Sequence, residues 1–148
     1  MVTIQIAKIF QDIKVDSAKI EKIVHTVCNR FNISAGTVGI AIVDDAETKK
    51  LNKQFLGRGG VTDCLSFDLP DDSLKSDIFF ELIVNGQMAV REAKLRGHSS
   101  EAELALYIIH CLLHNLGFND STMADAKKMH KAEDEILQKL GFGIVYNT

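Results

Sequence analysis

His110 and His114 stand four residues apart in the segment HCLLHNLGFND, residues 110–120. Four residues of α-helix turn the chain through about 400°, so the two imidazoles leave the same face, about 40° apart and one turn up. Rings placed this way can meet one metal ion. A zinc ion that does chemistry takes three protein ligands and keeps a fourth position open, so a third donor must come from elsewhere. Gly117 permits the left-handed conformation that ends a helix and turns the chain back, and Asp120 then arrives within reach. Blander readings stand beside this one: an imidazole on an apolar face is often a hydrogen-bonded core residue, and Asp120 could cap the next helix. Thr122 and Asp125 already form a T-x-x-D capping pattern, which releases Asp120 from that duty. Cys111 lies about 100° round the helix from His110 and should miss the ion. His25 and His130 read as solvated helix residues, and His98, beside Gly97, as a loop or capping residue.

These residues need a scaffold, and the chain is long enough to supply one. Its 148 residues fit a single domain, 1–148, with 46% hydrophobic and 25% charged residues, the balance of a soluble globular protein. No apolar run approaches the about 20 residues that span a bilayer. The opening MVTIQIAKIFQDIK alternates and carries an early Asp, unlike a signal peptide, so a cytoplasmic location and no membrane partner are expected. Cys28, Cys64 and Cys111 are odd in number and widely spaced, which fits buried, reduced thiols. The net charge of -3 exerts no general pull on nucleic acid, so an RNA substrate would require a local basic strip.

The elements follow from periodicity. Residues 2–10 and 37–45 alternate or run apolar as strands, a short strand is expected at 64–68, and IFFELIVN, 78–85, reads as a buried strand. Helices are expected at 17–31, where Asp16 or Ser17 can cap, at 45–57, closed by Gly57, and at 86–96, 100–116 and 122–140. The segment 71–77 reads as an acidic loop. Strands crowd early and helices late, which predicts an α+β domain with a mixed sheet covered by helices. The stretch AELALYIIHCLLHNL is apolar nearly all round and should run through the core, placing the metal site at its end.

Two families share this metal-binding pattern. H-x-x-x-H-x-x-G-x-x-[HD] is similar to the metal turn of the metzincin zinc peptidases, but those require a Glu directly after the first His, where this chain has Cys111. The chain resembles the YbeY-type endoribonucleases, or rRNA maturation factors, over nearly its whole length. Their signature H-G-x-L-H-L-x-G-Y-D-H aligns with HCLLHNLGFND without a gap, and His110, Leu113, His114 and Gly117 match. Upstream, L-N-x-x-[FY]-R followed by P-T-[DN]-V-L-S-F is similar to LNKQFLGRGGVTDCLSF, through Leu51, Asn52, Phe55, Thr62, Asp63, Leu65, Ser66 and Phe67. The departures are Asp120 for the third histidine, Cys111 for the glycine, Leu56 for the arginine (Arg58 follows two residues on) and Val61 for the proline.

The resemblance implies a four-stranded mixed sheet packed with about five helices. It implies a metal-dependent endoribonuclease specific for single strands, acting in small-subunit rRNA maturation and ribosome quality control. One Zn2+ per chain would be held by His110, His114 and Asp120, and Arg58, Thr62, Asp63 and Ser66 would meet the substrate. A carboxylate is an accepted zinc ligand, though it leaves the site less positive than three imidazoles would. Lys49, Lys50, Lys53 and Arg58, with Arg91, Lys94 and Arg96 nearby, could form the basic strip. The partners implied are single-stranded RNA and the small ribosomal subunit or its assembly factors. No catalytic residue is assigned, although Glu81 could approach the metal as a base. A metal-dependent hydrolase of another substrate and a non-catalytic ribosome-associated protein remain the alternatives.

Overall fold

The computed structural model describes residues 1–69 and 77–143. Strands β1 (Val2–Lys8), β2 (Gly36–Val43), β3 (Cys64–Asp68) and β4 (Ile78–Asn85) form one sheet, and helices α1 (Ser17–Arg30), α2 (Asp45–Leu56), α3 (Gly86–Arg96), α4 (Ser100–Asn115) and α5 (Met123–Lys139) pack around it. This is the expected α+β arrangement. The acidic loop expected at 71–77 lies, apart from Asp77, outside the described residues.

The strand order is β1-β2-β4-β3, with β1, β2 and β4 parallel and β3 antiparallel to β4. The sequence pattern explains the order. The central strands β2 and β4 are nearly continuous apolar runs, as strands covered on both faces must be, whereas β1 alternates as an edge strand does. β3 pairs with β4 from Cys64↔Val84 to Asp68↔Phe80, which brings the glycine-rich segment before it to the end of β4.

Caps fix the helix ends. Asp16, Asp44, Asn85, Ser99 and Thr122 are the N-caps, each accepting a hydrogen bond from a first-turn amide. Thr122 takes its bond from the Asp125 amide, so Asp120 is indeed free of capping duty. α4 is buried on nearly every side: Leu104, Ile108, Ile109, Leu112 and Leu113 join the main core with Val24, Leu82, Met129 and Ile136. Each such aliphatic side chain contributes about 1.5–3 kcal/mol by leaving water. Rigid packing around α4 therefore fixes where its last turn, and both histidines, must lie. No helix among the described residues is long and apolar enough to cross a membrane.

Candidate metal centre

Three side chains converge where α4 ends. His110 Nε2 and His114 Nε2 lie 3.0 Å apart, and Asp120 Oδ2 lies 4.0 Å from the first and 3.9 Å from the second. The spacing from sequence thus brings the expected three together, as the group among the described residues whose donors could hold a metal. Donors of a tetrahedral zinc, with bonds of about 2.0–2.1 Å, sit roughly 3.3 Å from one another. The two nitrogens already meet that requirement, and the exposed Asp120 carboxylate needs to close by well under 1 Å.

The far side of each ring is tied down. His114 Nδ1 lies 3.1 Å from the Phe118 carbonyl, which only accepts, so Nδ1 carries the hydrogen. His110 Nδ1 lies 2.8 Å from Glu133 Oε2 and donates to it. With the Nδ1 hydrogens placed in this way, the two Nε2 atoms, 3.0 Å apart beside a carboxylate, are the ring positions left to bind a metal. Such an arrangement could hold a cation. Carboxylate or carbonyl partners behind ligand histidines are the usual way their tautomer and orientation are set.

Local folding builds these supports. Leu116 ends α4, Gly117 adopts φ 100, and the Gly117 and Phe118 amides donate to the His114 and Leu113 carbonyls. This is a Schellman turn, which needs glycine at its left-handed position. It aims the Phe118 carbonyl back at His114 and seats the Phe118 ring edge-on to Phe31 at 5.7 Å. Glu133 was not anticipated. Its signal was an acidic residue on the apolar stripe Met129, Ala132, Glu133, Ile136, Leu137 of α5, where a carboxylate is 1% exposed and must have partners. Its other oxygen, Oε1, lies 2.7 Å from His130 Nδ1.

Burial works against the charged form of His110, but the hydrogen bond and charge of Glu133, with Asp63 and Asp120 adding, hold its pKa above the ordinary imidazole value. The expectation that His130 is merely solvated is corrected: it is half-buried against Glu133, three residues along the same helix. His98 lies in the loop between α3 and α4, as expected, and its amide donates to the Ala93 carbonyl at 3.2 Å. Its Nε2 lies 2.6 Å from the buried carboxylate of Glu103, and the cap at that helix is Ser99.

A cleft of about 810 Å³ opens over the three donors, and Arg58, Thr62, Asp63 and Ser66 all line it with Asn52, Leu56 and Cys64. Asn52 of α2 is buried and donates to the Gly60 carbonyl at 2.9 Å, which holds the glycine-rich segment against the helix. Asn85, capping α3, anchors the next residues: its amide donates to the Asp63 carbonyl at 2.8 Å and its side chain to the Thr62 carbonyl at 3.2 Å. Asp63 Oδ1 accepts from the Cys64 amide at 2.8 Å. The Cys64 thiol is pushed well above its ordinary pKa, first by its hydrogen bond with Cys111 and then by burial, and Cys111 is wholly buried and stands outside the group of three donors, as expected.

The basic strip is smaller than the sequence suggested. Arg91 is held by Asp45 at 2.8 Å and Arg96 lies 3.4 Å from Glu103, so acidic neighbours on other elements consume both charges. Among the basic residues proposed for the strip, Arg58 lines the metal cleft, while Lys49, Lys50, Lys53 and Lys94 are exposed beyond it. Glu81 is not among the residues that line the cleft over the three donors: its carboxylate lies over Gly39 of the neighbouring strand, leaving no room there for a Cβ.

Comparison with known proteins agrees with this geometry. The family model "Endoribonuclease YbeY" matches residues 5–141. A Roseiflexus protein named Endoribonuclease YbeY is 35% identical over 136 residues, 86% of this chain and 85% of that one. A Ureaplasma parvum protein of the same name is 30% identical over 141 residues, covering 95% and 90%. The solution structure of TM1509 from Thermotoga maritima has a similar fold, with a TM-score of 0.56 at 24% identity over 94% of this chain and 91% of that one. The chain belongs to the endoribonuclease YbeY family.

Proposed function

We propose that this protein is a zinc-dependent endoribonuclease that cuts single-stranded RNA, acts in maturation and quality control of small-subunit rRNA, and works in the cytoplasm. The observation that carries the reading is the meeting of His110, His114 and Asp120 on the floor of a cleft whose facing wall holds Arg58 and a glycine-rich segment. Zinc held by these donors would supply a Lewis acid beside the scissile phosphate. The remaining work falls to the chain. Arg58 can fork onto phosphate oxygens, and Gly60, which lines the cleft with it, lets the backbone come close to them. Asn52 and Asn85 keep that wall fixed relative to the metal donors. Glu133 and the Phe118 carbonyl hold the two imidazoles with Nε2 forward.

Leu56, half-exposed in the cleft where relatives of the motif carry arginine, offers no charge to the phosphate. Slow cleavage and salt-sensitive binding are therefore expected, and this same residue favours the second reading, a ribosome-associated protein that binds without cutting. The test is cleavage of a single-stranded RNA by zinc-loaded wild type, Leu56→Arg and His114→Ala. Cutting that rises in Leu56→Arg and vanishes in His114→Ala supports the enzyme. Binding at low salt without cutting in any of them supports the second reading, and neither binding nor cutting rejects both.

A further inference from the structure

A second cavity of about 350 Å³ adjoins the metal cleft, and Thr62, Asp63 and His110 line both. Its character is different. Val61, Met88 and Leu106 give it an apolar wall, and the ring of Tyr107, 4% exposed, lies among them. Glu92 and Arg96 line it from α3, four residues apart and therefore on one helix face. His130 and Glu133 line it too, so the carboxylate that orients His110 also belongs to this cavity.

A phosphate does not suit these walls. Asp63, Glu92 and Glu133 outnumber the single guanidinium, and Arg96 is already engaged with Glu103 at 3.4 Å. The Tyr107 hydroxyl feels the same carboxylates: burial first, then Glu103, Asp63 and Glu92, push its pKa up. What suits the cavity is a flat group with apolar faces and an edge rich in N–H donors. Unstacked bases of single-stranded RNA are read in this manner, by packing on side-chain faces and hydrogen bonding at their edges.

We propose that this cavity is a pocket for a guanine base of single-stranded RNA, placed next to the phosphate that occupies the metal cleft. Guanine offers two adjacent donors, N1–H and the N2 amino group, to one carboxylate, and two acceptors, O6 and N7, to one guanidinium. Glu92 fills the first role, and the second falls to the N–H groups of Arg96 other than Nη1, the one that faces Glu103. His110, in the wall between the cavities, sets the spacing of one base from one phosphate. The inference rests on the RNA reading above but assigns a residue preference that the reading does not contain.

Affinities of the zinc-loaded full chain are measured for oligouridine, for the same RNA with one central guanosine or adenosine, and for guanosine and adenosine 5′-monophosphates. The guanosine RNA should bind about tenfold tighter than either other RNA, as a bidentate base contact allows. Glu92→Gln, which replaces an acceptor with an amide donor at a half-buried position, should collapse that ratio towards one. Arg58→Ala, a phosphate contact, should weaken all three RNAs alike and leave the ratio intact. Binding of every RNA with no guanosine preference in wild type overturns the pocket and leaves the RNA reading standing. Glu92-dependent binding of guanosine monophosphate without RNA binding upholds the guanine site and removes RNA as its source. Binding of neither RNA nor nucleotide overturns both.

Discussion

Replacing Glu133 by glutamine keeps the shape of the side chain and removes its charge. The carboxylate gives one oxygen to His110 at 2.8 Å and the other to His130 at 2.7 Å, and it is 1% exposed. An amide accepts at one end only. The His110 ring therefore exchanges a charge-assisted bond, about 1.5–3 kcal/mol, for a neutral one of about 0.5–1.5 kcal/mol. The difference, roughly 1.3 kcal/mol between midpoints, is close to tenfold in a binding constant. That is the lower end of the ten- to hundredfold penalty for losing a carboxylate behind a ligand histidine.

Zinc affinity measured by competition with a chromophoric chelator should therefore fall about tenfold in Glu133→Gln at neutral pH. The pH dependence carries a sign. A metal takes only the neutral imidazole, and Glu133 holds the His110 pKa above its ordinary value. Wild-type affinity should then begin to fall at higher pH than that of the variant, and the gap between them should narrow as pH is lowered. In the metal-free protein the same contact stabilises the fold below the unfolded imidazole pKa, and its contribution is lost as pH rises through the folded one. Urea midpoints of the two proteins should thus differ most on the acid side. Equal zinc affinities at neutral pH in two folded proteins would refute the positioning role of Glu133.

His114→Ala should abolish stoichiometric zinc by elemental analysis while circular dichroism stays native, because its ring is partly exposed at the end of α4. Asp120→Ala should weaken zinc by well over tenfold and Asp120→His should retain or tighten it; unchanged affinity in Asp120→Ala would leave the metal with two protein donors from this segment. Arg58→Ala should weaken RNA binding uniformly across sequences and lower the slope of log affinity against log salt by about one, read from a salt titration. Gly117→Ala should cost about 1–2 kcal/mol in urea denaturation because a Cβ is strained at φ 100, and should loosen zinc as well by shifting the Phe118 carbonyl.

The strands and helices of the described residues were legible in the sequence because strands show in apolar runs or alternation and helices in periodicity and caps. The convergence of His110, His114 and Asp120 was legible for a related reason: they lie close along the chain, so helix geometry and one glycine place them. Glu133 was not, since its relation to His110 depends on how α5 docks on α4, a tertiary fact. The same limit hid the fates of Arg91 and Arg96, whose partners Asp45 and Glu103 sit on other helices. Glu81 looked free to reach the metal until the register of β4 on β2 set it over Gly39. Chain-local chemistry is visible in a sequence, whereas charge pairing between elements waits for the packing.

The three side chains that could hold a metal fall within residues 110–120, while the partners that orient two of them differ in origin: the Phe118 carbonyl is local, and Glu133 comes from the next helix. An unfolded chain keeps those donors on a short tether, so it too can bind zinc. An ion that binds both states stabilises the native one only by the ratio of its two affinities. Zinc should therefore raise the unfolding midpoint by less than its native dissociation constant implies, and the surplus that remains measures what α5 adds. Metal retention would then be a poor gauge of folding for this protein: residues 110–120 could hold an ion after the sheet and the wall of the cleft have come apart.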